Sequence, residues 1–170
     1  LVRNIPVIGD IAKMQALLQD LGVKIEQISQ RSLRLNAKDL QKTALCSDIA
    51  KSIRSSIVLS GPILAREGRV SFHHPGGCVI GKRPIDVFLD AFKKMGAIIQ
   101  INEDNYFISA KKLRGANIIF RVPSVTATET LMMTATLASG TTRLENCACE
   151  PEIVNLAEFL NQCGARIQGA

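Results

Sequence analysis

Cys78 stands between glycines in a run that reads His73-His-Pro-Gly-Gly-Cys-Val-Ile-Gly-Lys-Arg-Pro-Ile-Asp86. Positive potential from Lys82, Arg83 and a following helix start favours a thiolate there. Such a thiol suits a nucleophile or a proton donor working near neutral pH. Free cysteine is also commonly a small buried hydrophobe, and the loop alone leaves both uses open. Gly76 to Lys82 nearly spells a nucleotide-phosphate loop. Arg83 stands where a magnesium-holding Ser or Thr is needed, and Pro84 lacks a backbone donor, so that assignment is disfavoured. His73 and His74 have no cysteine or carboxylate at ligand spacing and read as ordinary strand-end residues. No HExxH or ordered Ser-His-Asp series is present, although order alone does not exclude a dispersed triad.

The elements on either side define this run as a strand-to-helix loop. Arg69 to Phe72 reads as a strand. Pro84 opens a helix with Ile85, Phe88, Leu89, Phe92 and Met95 at helical spacing. The same series occurs three times. Leu1–Asn4 is a strand, Pro6 and Asp10 open a helix with Ile11, Met14, Leu18 and Leu21 inward, and a hairpin follows Gly22. Ser47 is placed to cap a buried helix running to about Arg66, with Pro62 marking a kink or early end. In the second copy Gly96 ends the helix and a hairpin turns at Asn102–Asn105. A strand at Asn117–Val122 then leads into a nearly all-apolar helix ending near Ala138, with Thr126 and Glu129 at capping-box spacing. In the third, Arg143–Asn146 mirrors Val2–Asn4, and Pro151 opens a helix with Ile153, Leu156, Ala157 and Leu160 inward. Gly22, Gly96 and Gly164 recur at intervals of roughly seventy residues, an internal repeat. One helix type is amphipathic and the other apolar all round. The expected α/β architecture therefore has a threefold repeat, buried central helices and outer mixed sheets. The first copy lacks its buried helix and the third its hairpin, so the chain reads as one domain, residues 1–170, truncated at both ends.

The chain has 170 residues, 46% hydrophobic but only 4% aromatic, so its core is aliphatic. A net charge of +6 without an arginine-rich block suits anionic ligands and does not by itself argue for nucleic acid. Cys46, Cys78, Cys147, Cys149 and Cys163 are odd in number and lack CxxC spacing. That argues against a disulfide framework or zinc site and for reduced thiols in a cytoplasm. Cys147 and Cys149 are expected on one face of a strand as packing residues. No signal peptide or membrane-spanning run is visible.

From Pro75 to Asp86 the chain resembles the UDP-N-acetylglucosamine enolpyruvyl transferase family, and the likeness extends over nearly all of it. Ile53–Ile57, Gly61–Arg66, Pro123-Ser-Val125, Gly140-Thr-Thr142, Glu145-Asn146 and Glu150–Val154 also resemble family segments. The resemblance implies an inside-out α/β barrel of two similar domains, each of three repeats around central helices. Here the partner domain is missing. It implies transfer of enolpyruvyl from phosphoenolpyruvate to the 3-hydroxyl of UDP-N-acetylglucosamine with release of phosphate, the first committed step of peptidoglycan synthesis. Neither cofactor nor metal is implied. Cys78 would be the general acid, able to form a covalent phospholactoyl adduct and open to alkylation by fosfomycin. Arg54 and Arg83 would bind substrate, a role suited to the planar guanidinium fork. Pro84, Ile85, Asp86 and Val87 would line the uridine pocket, and Ser124 and Val125 would form a second nucleotide contact where a buried helix begins. Val122 replaces a lysine of some members and Thr126 a glycine of many. The shikimate-pathway enolpyruvyl transferase is the nearest alternative, but it lacks the Pro-Gly-Gly-Cys loop. An RNA-end-processing or RNA-binding domain of similar fold, and a non-catalytic interaction module, are alternatives of other classes.

Overall fold

The computed structural model describes residues 1–45, 48–75 and 84–170. One unit recurs along them. The first pass holds β1 (Val2–Arg3), α1 (Gly9–Asp20) and the hairpin β2 (Lys24–Ser29) to β3 (Ser32–Asn36). The second holds β4 (Ala44–Leu45), α2 (Asp48–Ser52), a 3-10 segment (Arg54–Leu59), α3 (Ser60–Glu67) and β5 (Arg69–His73). It continues with α4 (Asp86–Lys94) and the hairpin β6 (Ile98–Asn102) to β7 (Asn105–Ser109). The third holds β8 (Asn117–Ile119), α5 (Val125–Ala135), β9 (Arg143–Glu145) and α6 (Pro151–Gln162).

Three sheets follow, in the orders β1-β3-β2, β4-β5-β7-β6 and β8-β9. β4 and β5 pair in parallel, as do β8 and β9, and each pair is joined through a central helical segment. β5 pairs antiparallel with β7, with Val70 opposite Ile108 and Phe72 opposite Tyr106. All four of these side chains face the core side; Val70, Phe72 and Ile108 are buried there. The repeat expected from the glycine spacing holds at the level of backbone angles. Gly22, Gly96 and Gly164 follow the three amphipathic helices at φ 96, 95 and 102°, a left-handed stop that a side chain resists. Asn4 and Asn146, which end β1 and β9, share φ 59 and 53°, as the mirrored sequences suggested.

The central pieces are buried as their all-round apolar character requires. Gly61 of α3 lies so close to α5 that an added Cβ would sit 2.1 Å from Thr134 Oγ1 and 2.8 Å from the Thr130 carbonyl. α5 is less apolar than expected, carrying four threonines. Thr128, Thr130 and Thr134 are buried with hydroxyls donating to the carbonyls of Ser124, Thr126 and Thr130, at 2.8, 2.6 and 2.7 Å. Polar atoms are thus satisfied inside the helix and its surface packs as if apolar. On α4 all five periodic residues, Ile85 to Met95, are buried.

Several local expectations need correction. The helix drawn to Arg66 is three pieces, broken at Ile53, which is extended at φ −132°, ψ 132°. There the Ser56 hydroxyl reaches the carbonyls of Ala50 and Ile53, at 2.7 and 2.8 Å, in place of a continuous helical ladder. Pro62 falls in the first turn of α3, where it is tolerated. Ser47 lies outside the described residues. α4 starts at Asp86, with Ile85 as its cap, two residues after Pro84. β8 ends at Ile119, short of Val122, and α5 ends at Ala135. Thr126 and Glu129 form no capping box, since Ser124 caps α5. On α1 the most buried residue is Leu17, which the inward stripe had omitted. Cys147 and Cys149 lie beyond β9 in no strand, the first packed against the core and the second exposed. Among the described residues no helix is long and apolar enough to cross a membrane.

Candidate functional site

Three segments build the candidate site: the end of β5, the entry to α4 and the N-termini of the central helices. At the end of β5 the His74 N–H donates to the Asp104 carbonyl at 2.9 Å, tying the strand end to the β6–β7 turn. His74 Nδ1 lies 3.3 Å from the Tyr106 hydroxyl. Tyr106 stacks on Phe72 with ring centroids 5.3 Å apart. Burial pushes the Tyr106 phenol above its ordinary value of 10.0, and the carboxylates of Asp104 and Asp86 push it further. Asp86 therefore lies within electrostatic reach of the β6–β7 hairpin. Pro75 is buried at the start of the loop. Cys78, Lys82 and Arg83 fall within residues 76–83, outside the described residues.

Pro84 is exposed. Ile85 is buried, Asp86 exposed and Val87 half-buried. Ile85 inserts into the main core at 2% exposure and so anchors the polar residues beside it. Half-buried Arg54, the first residue of the 3-10 segment, donates from Nη2 to the Pro84 carbonyl at 3.2 Å. A central segment is thereby bonded to the entry of an outer helix.

Ser124 precedes α5 with φ −145° and ψ 117°, and its Oγ accepts from the Ala127 N–H at 3.4 Å. Its carbonyl accepts from both the N–H and the hydroxyl of Thr128, at 2.9 and 2.8 Å. Thr128 Oγ1 in turn accepts from the Ala148 N–H at 3.1 Å. Ser124 and Val125 are half-buried at a helix start whose backbone dipoles favour anions.

Of the residues expected from sequence, the structure bonds Arg54 to Pro84 and places Ser124 as the cap and Val125 as the first residue of α5, which packs against the 3-10 segment and α4. The juxtaposition of Cys78 with Arg83 lies outside the described residues. Tyr106, Asp104 and Thr128 were missed. Tyr106 is the single tyrosine of the chain, but its place opposite Phe72 depends on strand register.

The sequence of residues 1–170 matches the EPSP synthase (3-phosphoshikimate 1-carboxyvinyltransferase) family, and the chain belongs to that family. Within it, the chain is similar to enzymes named UDP-N-acetylglucosamine 1-carboxyvinyltransferase. It is 44% identical over 168 residues to that of Campylobacter hominis and 46% identical over 176 residues to one from Symbiobacterium thermophilum. Each match takes in 99% of this chain, and the chain spans about 40% of the length of these curated relatives. Among solved structures it superposes on the enolpyruvyl transferase NikO from Streptomyces tendae with a TM-score of 0.81 at 18% identity. That match covers 98% of this chain and 39% of that one. EPSP synthase from Acinetobacter baumannii gives 0.71 at 17%, over 96% and 38%. At such identities the likeness is one of fold, and the fold is that of the enolpyruvyl transferases, as expected.

Proposed function

We propose that the protein carrying this chain transfers the enolpyruvyl group of phosphoenolpyruvate to the 3-hydroxyl of UDP-N-acetylglucosamine and releases phosphate. Residues 1–170 then supply most of one domain, and a second domain of the same protein completes the site. The carrying observation is the likeness over 99% of the chain to relatives of that name. The geometry agrees with it: Arg54, the Pro84–Val87 segment and the start of α5 belong to elements that pack together.

In this assignment Cys78 acts as the general acid. It delivers a proton to C3 of the enolpyruvyl double bond while the sugar hydroxyl adds at C2 and gives its proton to a base of the second domain. Loss of a proton from C3 as phosphate leaves C2 then regenerates the double bond. Arg54 and Arg83 hold anionic groups through charge-assisted hydrogen bonds. Pro84, Ile85, Asp86 and Val87 form the uridine wall, with Ser124 and Val125 as a second nucleotide contact. A cytoplasmic setting, a role in cell-wall synthesis and sensitivity to fosfomycin follow from the same assignment.

The test is a chimera in which residues 1–170 replace the matching segment of the Campylobacter hominis relative. Phosphate release that needs both phosphoenolpyruvate and UDP-N-acetylglucosamine is expected. Fosfomycin labelling should be confined to Cys78, as read by mass spectrometry. Release that needs shikimate 3-phosphate instead would overturn the acceptor assignment. Labelling spread equally over Cys46 and Cys163 would overturn the role of Cys78.

A further inference from the structure

We infer that Arg54 is a positioning residue for Pro84–Val87, the entry and first residues of α4, holding this segment through the Pro84 carbonyl in addition to any anion it binds. The inference rests on the proposal that this segment is the uridine wall. It begins with the rigidity of the Arg54 backbone. Ile53, immediately before it, is extended and only 4% exposed. Ser56, two residues on, is buried with its N–H and hydroxyl directed to the Ile53 carbonyl and its hydroxyl also near that of Ala50. The arginine therefore projects from a fixed point on a central element.

Its target is thirty residues away and needs holding. Pro84 is exposed and has no N–H of its own to bond. Ile85 caps α4 without a side-chain hydrogen bond, at φ −114° and ψ 9°. The segment is secured from beneath by the buried Ile85 side chain and from the side by the Arg54 Nη2 contact at 3.2 Å. A charged donor makes this stronger than a neutral contact. A guanidinium carries five N–H groups and can bond more than one acceptor at once. A lysine ammonium keeps the charge but ends short of the guanidinium's terminal nitrogens. Attraction of an anion and placement of Pro84 are thus separable, the first needing charge and the second needing the reach of Nη2.

The test uses the chimera with the Campylobacter hominis relative, its Arg54→Lys variant, and uridine and UDP as probes, read by methyl NMR. Unchanged Leu33 and Ile153 signals, from parts of the chain outside the site, establish that the variant folds. Without ligand, the variant is expected to shift the Ile85 and Val87 methyl signals. Its affinity for uridine, which carries no charge, is expected to fall about fivefold, along with that for UDP. Unshifted Ile85 and Val87 signals, or unchanged uridine affinity with only UDP weakened, would overturn the inference and leave Arg54 a simple charge. If the unaltered chimera binds neither probe while the variant still shifts both methyls, the uridine-wall proposal fails and the placement of Pro84–Val87 by Arg54 stands. The surviving methyl shifts distinguish that outcome from the first.

Discussion

Glu129 is a carboxylic acid on a central helix, and it shows how position sets the behaviour of a single group. Burial raises its pKa above the ordinary 4.5, and the carboxylate of Glu152 raises it further. A raised value means that the folded chain holds the proton more tightly than the unfolded one. The stabilising effect of that proton is complete below pH 4.5 and is lost as pH rises through the higher folded value. Glu129→Gln is therefore expected to melt at a higher temperature than the parent at pH 7 and at a similar one near pH 4. Thermal unfolding at the two pH values measures this. Arg54 and Ser124 were named beforehand from the family resemblance, and each is a polar residue at the start of a run that must be buried. Tyr106 was not, because its partners Phe72 and His74 reach it only through the register of β5 with β7. The same dependence on long-range pairing hid Thr128, whose hydroxyl joins Ser124 to Ala148 across the end of β9.

Packing of the central helices governs behaviour at the next scale. Gly61→Ala drives a methyl group against Thr134 Oγ1 and the Thr130 carbonyl, and backbone cannot swing aside as a side-chain tip can. A loss of about 1–3 kcal/mol is expected, read as a lower denaturant midpoint at unchanged slope. Thr128→Val keeps the shape but leaves the Ala148 N–H without its acceptor, which costs about 1–3 kcal/mol by the same measurement. Burial on every side was legible from the small and apolar residues of these runs. Their exact segmentation was not. The break at Ile53 comes from the Ser56 hydroxyl competing for main-chain carbonyls. The capping-box spacing at Thr126 and Glu129 misled because Ser124, two residues earlier, already has extended angles and a free oxygen for the first turn.

Across the whole molecule, one unit recurs with a left-handed glycine after each amphipathic helix. An alanine there meets backbone strain of about 1–2 kcal/mol. At Gly164 nothing lies within 4 Å of the added methyl, whereas at Gly22 it would also sit 2.9 Å from the Gln41 nitrogen. Gly22→Ala is thus expected to destabilise more than Gly164→Ala, as equilibrium unfolding of the two variants would show. The repeat was the most legible feature of the sequence, because it needs only composition and interval and no knowledge of register. The units differ in what flanks their strands. β5 has β4 on one side and β7 on the other, while among the described residues β9 pairs with β8 alone. Nearby Ile119 and Val122 are 63% and 73% exposed. Exposed apolar strand residues favour pairing between chains, and a charge there opposes it. Ile119→Lys is therefore expected to lower the light scattered by concentrated solutions relative to the parent.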